Sequence, residues 1–349
     1  MKLLRLLLLP FSILYAIGVI ARNLAYDMGI FKSQQFDLPV ISIGNLSVGG
    51  SGKSPMTEYL IRLLKDEYKI ATLSRGYGRK TRGFLEVSTQ SSSSESGDEP
   101  LQFKRKFQDI TVAVCENRVL GINKLKHNHE LIILDDAFQH RALKPGLSIL
   151  LFEYSSLSAP QFLLPAGNLR EPVWESARAD VIVVSKCPTG LSSQEKKRLR
   201  EKLNPDQNQQ VFFSYLQYGD LRALNTGSKR AVNTITAETG IVLLTGIANP
   251  EPMINELNQY HPQLIHHAYP DHHPFTEKNM SKLVQSFHEL KKEDKLIITT
   301  EKDAQRLDRR GLADLPVYIL PVETVFQEPE TTNFNEIIRT YVSESSGNN

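Results

Sequence analysis

With 349 residues, 40% of them hydrophobic and 23% charged, the chain has an ordinary globular composition and enough length for two domains. A formal net charge of +2 gives no electrostatic case for nucleic-acid binding. Only Cys115 and Cys187 are present, both in or beside apolar runs; this excludes a disulfide framework and reads as buried thiols in a reducing compartment.

The first element is an apolar run, Leu3 to Ala21, with Lys2 and Arg5 near its start and Arg22 behind it. A bilayer-spanning helix needs about 20 apolar residues, and Pro10 and Arg5 leave this run marginal. Three readings apply. Ala16-Ile17-Gly18 offers small residues for a cleaved signal peptide; the run could be a buried core helix; or it could rest on a membrane surface with its basic flanks toward anionic headgroups.

The next segment decides among them. Val40 to Ile43 reads as a buried strand and Met56 to Leu64 as an amphipathic helix. Between them stands Ser47-Val48-Gly49-Gly50-Ser51-Gly52-Lys53-Ser54. Strand, glycine-rich turn, Lys-Ser and helix is the context of a phosphate-binding P-loop. The glycines let backbone N–H groups turn around phosphate oxygens, and the helix adds its positive end. Lys53 would reach the β/γ-phosphates of ATP, and the Ser54 hydroxyl would ligate Mg2+. Pro55 suits the first helical turn. Ser47 departs from the usual glycine at the first position, and a plain Gly/Ser-rich turn is the competing reading. Export would separate such a loop from cytosolic ATP, so residues 1–31 are expected to form a membrane-associated helix.

Near-continuous apolar runs follow at Ile70–Leu73, Ile110–Val114, Leu131–Leu134, Leu147–Phe152, Val181–Val184 and Val211–Phe213. Continuous rather than alternating hydrophobicity suits a parallel sheet covered on both faces. The fold class expected is α/β: a doubly wound, mainly parallel P-loop sheet over 32–216, with its ligand at the carboxyl ends of the strands. Ser88 to Gly97 reads as a mobile surface loop, and 217–240 as a linker able to hold a short hairpin. Further runs at Ile241–Thr245, Leu264–His267, Leu296–Thr300 and Val317–Leu320, with helical segments near Glu251–Tyr260 and Lys278–Lys292, predict a smaller α/β domain over 241–342. Residues 343–349 are expected to be a disordered tail.

Several strand ends carry chemistry. Ser74-Arg75-Gly76-Tyr77-Gly78-Arg79 could grip phosphate, or be a basic turn. Asp135 and Asp136 end an apolar strand, where P-loop enzymes hold Mg2+; a solvated turn is the alternative. Gln139, His140 and Arg141 put a donor, a titratable ring and a cation beside them. In Asp271-His272-His273 an Asp orienting a His is more economical than a shared metal. Thr299-Thr300-Glu301-Lys302-Asp303-Ala304 reads first as a turn capping a helix at Thr300.

In this order, SVGGSGKSP, SRGYGR, GDEP, DDAFQHR, PAGNLREP, DHHPF and TTEKDAQRL, behind an apolar N-terminus, resemble the tetraacyldisaccharide 4'-kinase family of lipid A biosynthesis. The blocks reach to about residue 307, and GDEP, DDAFQHR and PAGNLREP together are the specific ones. Where family members commonly have Gly after Asp-Asp, this chain has Ala137. The resemblance implies two α/β/α domains joined by a short β-stranded linker and an enzyme on the cytoplasmic face of the inner membrane. It implies transfer of the ATP γ-phosphate to the 4'-hydroxyl of an acylated glucosamine disaccharide 1-phosphate. On matching residues it implies Asp98 as general base, assisted by His272 with Asp271. Asp135, Asp136 and Glu171 would lie near Mg2+, and His140 and Arg141 would organise the phosphate region. No protein partner follows from it. The rival readings are another P-loop enzyme, such as a GTPase metallochaperone, and a membrane-tethered nucleotide-binding module. For the GTPase, Ser185-Lys186 lacks the expected Asn, and Pro188 stands where Asp is needed.

Overall fold

The computed structural model describes residues 5–308 and 310–346. Lys2, Leu3 and residues 347–349 of the expected tail lie outside them. The chain enters through helix α1 (Leu9–Asp27), whose apolar side chains Phe11, Ile13, Leu14 and Ile17 are largely exposed while Ser12 and Asn23 are buried. This is the reverse of a core helix. Among the described residues it alone is long and apolar enough to cross a membrane, by length and composition.

Strand β1 (Val40–Asn45) is wholly buried and leads through the glycine-rich loop into α2 (Lys53–Leu64). Then come β2 (Ile70–Ser74), β3 (Leu85–Glu86), α3 (Ser93–Ser96), α4 (Asp98–Lys106), β4 (Thr111–Val114), α5 (Arg118–Leu125) and β5 (Leu131–Asp135). They are followed by β6 (Leu147–Glu153), β7 (Val181–Ser185), α6 (Ser193–Leu203) and β8 (Gln210–Tyr218). Both faces of β1 are covered, which is why its sequence does not alternate. Ile41 and Ile43 pack with Met56 and Leu60 of α2, and Val40 packs on the opposite side with Ile122 and Leu125 of α5. The Ser-rich stretch expected as a loop carries the single turn α3, held by a capping box between Ser92 and Glu95.

A second sheet begins with the hairpin β9 (Leu221–Ala223) and β10 (Lys229–Arg230). It continues with β11 (Gly240–Thr245), α7 (Glu251–Asn258), β12 (Gln263–Ala268), α8 (Glu277–Glu289), β13 (Lys295–Thr299) and β14 (Val317–Ile319). Its order is β10-β9-β14-β13-β11-β12. Leu283 and Phe287 of α8 cover one face, and Met253 and Leu257 of α7 the other.

The expected end of the smaller unit at residue 342 needs correction. Strand β15 (Val322–Phe326) leaves the second sheet and pairs antiparallel with β8. Helix α9 (Glu330–Ser346) then lays Phe334, Ile338 and Val342 into the core beneath β1, and its last turn takes up residues expected in the tail. The reason is a four-residue apolar spacing, one helix face, with Phe326 stacked on Phe334 at 4.5 Å. The large sheet therefore runs β15-β8-β7-β6-β1-β5-β2-β4-β3 and is parallel except at its two edge strands.

Candidate active site

The glycine-rich loop has the shape its sequence calls for. Gly49 and Gly52 take positive φ, 114° and 83°, and Gly52 precedes α2 directly. Ser47 does not need glycine's freedom. It bridges Leu169, Val48 N donates to Asn168 O at 2.8 Å, and Arg170 N donates to Leu46 O at 2.7 Å. The first half of the loop is thus a short antiparallel pairing with 168–170. Ser51 Oγ is buried without a protein partner, a polar group suited to a polar ligand. Lys53 Nζ donates to Asn45 Oδ1 at 3.1 Å and lies 3.7 Å from Asp136. Ser54 sits half-buried in the first turn of α2.

The two strand-end carboxylates of β5 behave oppositely. Asp135 is buried and accepts from Thr57 Oγ1 of α2 at 3.2 Å; burial first, then the charge of Asp136, push its pKa up to about 7. Burial would also raise Asp136, but Lys53, Arg170 and Arg118 outweigh it and hold its carboxyl below the ordinary range. Arg170 Nη1 donates to both Asp136 oxygens at 3.1 and 3.2 Å. The pair thus holds one secure negative charge and one that a cation would release from its proton. The positive φ of this turn, 49°, belongs to Asp136, so Ala137 adds no strain. Among the described residues no three His, Cys, Asp or Glu side chains form a metal cluster. That fits Mg2+, which is commonly held by one or two carboxylates plus substrate phosphates.

Asp98 opens α4 and is buried. Gly76 and Gly97 bring two turns together: a Cβ on Gly97 would lie 3.0 Å from Tyr77 O, and one on Gly76 would lie 2.8 Å from Ser96 O. The second sheet supplies the partners of Asp98. His272, held at φ 59° after β12, places Nδ1 2.9 Å from Asp98 Oδ2, with the Tyr77 ring 4.9 Å away. Arg306 Nε lies 3.5 Å from the same oxygen. Asp271 Oδ2 is 3.8 Å from His272 Nε2. The charge of Glu99, beside Asp98, adds to the burial and the Asp136 charge that raise the Asp135 pKa. Ala248 lies over Gly50 from the second sheet.

Two expected site residues turn toward α1, and a third, His140, stays beside Arg118 and Arg75 at the Asp135-Asp136 end. Glu171 is buried and gives both oxygens to arginines, Arg22 at 2.6 Å and Arg178 at 2.5 Å. A carboxylate so neutralised does not suit a metal ligand; it ties α1 to the body. Arg141 pairs with Asp27 at 2.6 Å and lies over the Tyr26 ring, so it braces the end of α1 rather than phosphate. His140 is uncharged near neutral pH: burial first, then Arg118 and Arg75, press its pKa down to about 4.

The profile of the tetraacyldisaccharide-1-P 4'-kinase family matches residues 4–343. The chain belongs to that family. A tetraacyldisaccharide 4'-kinase of Phocaeicola vulgatus is 43% identical, covering 98% of this chain and 96% of its own length. That of Flavobacterium johnsoniae is 43% identical, covering 99% of each. The crystal structure of LpxK from Aquifex aeolicus in complex with ATP is similar at TM-score 0.75 and 31% identity, covering 97% of this chain and 99% of that one.

Sequence reasoning missed how this family member completes the site. Arg118 and Arg170 set the charge of the Asp135-Asp136 end, Asn45 accepts from Lys53 beside it, and Arg306 lies 3.5 Å from Asp98 from the second sheet. Thr300 does cap its turn, accepting from Asp303 N at 3.0 Å, but Glu301, Lys302 and Arg306 around it reach α4 of the large sheet, at Lys106, Glu99 and Asp98. Arg170 lies inside PAGNLREP, so that block held the signal.

Proposed function

We propose that the chain transfers the γ-phosphate of ATP to the 4'-hydroxyl of tetraacyldisaccharide 1-phosphate at a membrane surface, with Asp98 as the general base. The observation that carries this reading is the meeting of the Lys53 loop and the Asp98–His272 pair at one end of the large sheet in a member of this kinase family. A sugar hydroxyl is a weak nucleophile, and a buried carboxylate oriented by an imidazole can take its proton as it attacks. Most of the rate would come from holding the acceptor in line with the γ-phosphate. Residues Ser47 to Ser54 would cradle the phosphates, with Lys53 on the β/γ oxygens. Ser54 and Asp135 would hold Mg2+, with Asp136 and Arg170 fixing the charge beside it. Bound Mg2+ would neutralise phosphate oxygens.

The lipid acceptor suits the N-terminus. Each acyl CH2 drawn out of a bilayer costs about 0.8 kcal/mol, so an enzyme resting on the membrane avoids that penalty. Helix α1 and the residues just before it offer Leu6, Leu7, Phe11, Ile13, Leu14 and Ile17 to such a surface, and Trp174 and Phe162 are exposed on the segment α1 packs against. Polar ties run from Arg5, ahead of the helix, along α1: Arg5 to Asn168, Ser12 to Leu163 O, Tyr15 to Arg170 O and Arg22 to Glu171. A helix fastened to the body at both ends lies along the membrane rather than through it. The cytoplasmic face of the inner membrane, where ATP is present, is the corresponding location.

The test is direct. The protein is incubated with γ-labelled ATP, Mg2+ and tetraacyldisaccharide 1-phosphate in detergent. Label on the lipid, with ATP preferred over GTP, is expected. Intact ATP binding with no label on the lipid refutes the activity.

A further inference from the structure

Lys302 meets three acceptors with its three ammonium protons. Glu99 Oε1 is 2.9 Å away, Asp271 Oδ1 3.0 Å and His272 Nε2 3.0 Å. Burial would lower its pKa, but Glu99 and Asp271 outweigh that and raise it, so the group stays an ammonium. An ammonium has no lone pair. Against it, His272 Nε2 can only accept, and the ring proton of the neutral imidazole must sit on Nδ1. There it points at Asp98 Oδ2, 2.9 Å away. Two carboxylates compete for that ring proton: Asp98 at Nδ1, and Asp271 near Nε2 at 3.8 Å. Lys302 settles the competition by occupying Nε2 and neutralising Asp271. Arg306 also approaches Asp98 on Oδ2, so an acceptor hydroxyl would be taken by Oδ1.

We propose that Lys302 is a positioning residue for the phosphoryl-transfer step: it fixes His272 as the Nδ1–H donor that orients Asp98. This rests on Asp98 being the base. The geometry gives Lys302 no direct part in the chemistry, since all three of its donors are engaged by protein groups.

Two measurements on the full chain in detergent test it. In steady-state kinetics Lys302→Met should lower kcat about 10- to 100-fold, the scale of a small misplacement at a reacting centre. KM for ATP should hold, and Lys302→Arg should recover part of the loss. In a His272→Gln background the same Lys302→Met change should add little, because residues acting through one another are not additive. In nitrogen NMR of histidine-labelled protein at about pH 8, where an ordinary imidazole is neutral, the His272 signal, assigned by its loss in His272→Gln, should show the Nδ1–H form. Lys302→Met should mix in the Nε2–H form as Asp271 competes. Additive kinetic losses, a wild-type kcat in Lys302→Met, or an Nε2–H ring in the unmodified protein would each overturn the proposal. If Lys302→Met fails to fold, the tautomer of the unmodified protein and the kinetics of Lys302→Arg still decide. Failure of the base assignment is separate: it shows as unimpaired turnover in Asp98→Asn, whatever the state of the His272 ring.

Discussion

The two halves of the site are built differently. The phosphate end is nearly continuous in sequence: β1, the loop 47–54 and α2 form one strand-turn-helix, completed at Asp135 by β5, the strand paired directly beside β1. The acceptor end is assembled from remote parts. Asp98 comes from the large sheet's α4, and His272, Lys302 and Arg306 come from loops of the second sheet, joined to it only by side-chain contacts. A local motif carries its own geometry, because backbone conformation and chemistry are written in the same few residues. A composite site does not, because its geometry depends on how two sheets dock.

Predictions follow from breaking one half and asking whether the other notices. The largest effect is expected at the acceptor end. Asp98→Asn should lower kcat by about 100- to 10,000-fold with KM for ATP little changed; a defect confined to ATP affinity would show that the base lies elsewhere. At the phosphate end, Lys53→Ala should cost about 100- to 1,000-fold in kcat, and a wild-type rate would break the loop assignment. Asp135→Asn should make turnover depend more steeply on Mg2+ concentration than it does in the unmodified protein. An unchanged Mg2+ curve would leave Asp135 as a structural partner of Thr57.

Deleting residues 1–21 should spare ATP binding and reduce phosphorylation of lipid presented in vesicles, while the same lipid in detergent is used more nearly normally. Equal losses in vesicles and detergent would mean that α1 serves folding and not the surface.

The smallest effect concerns the contact between the halves. Glu58 on α2 is buried, and its pKa is raised to about 7, by burial first and then by Glu301 across the interface; Lys106 bridges the two carboxylates at 2.6 and 2.8 Å. Asp135 is likewise raised to about 7. An unfolded chain loses these protons near pH 4, so between about pH 4 and 7 these two carboxyls hold more protons in the folded state than in the unfolded one. Their contribution to stability, present below that window, therefore falls as pH rises through it, while His140, lowered to about 4, contributes with the opposite sign. Glu58→Gln should flatten this fall in urea unfolding measured across the window. A slope as steep as before would place the linkage elsewhere.

Legibility in the sequence followed the same division. The strands of the large sheet and the loop 47–54 were readable because continuous apolar runs and glycine spacing are local signals. Ser47 looked like a defect only because its pairing with Leu169 is long-range. Phe334, Ile338 and Val342 are readable as one helix face, but their spacing does not say that the face packs under β1 rather than within the smaller unit expected over 241–342. Glu171 and Arg141 were misplaced for a deeper reason. A block rich in charges says that its charges are used, and not whether they meet a ligand or a neighbouring helix. Lys302 looked like part of a capping turn, which it is; its second task exists only where the second sheet meets α4.

The pairing of β8 with β15 sets Tyr218 directly opposite Val322, with Gly219 N donating to Pro321 O at 3.0 Å just beyond. To the large sheet, everything from 219 to 321 therefore stands where a hairpin turn would. Two neighbouring strands carry the chain out and back, so any swing of the second sheet pivots about that one doubled crossing, like a door on a single post. During synthesis, β15 and α9 cannot seal the core under β1 until the whole inserted part has emerged. Splicing a two-residue turn between Tyr218 and Val322 would remove His272, Lys302 and Arg306 from the acceptor end without opening a gap in the sheet that holds the phosphate loop.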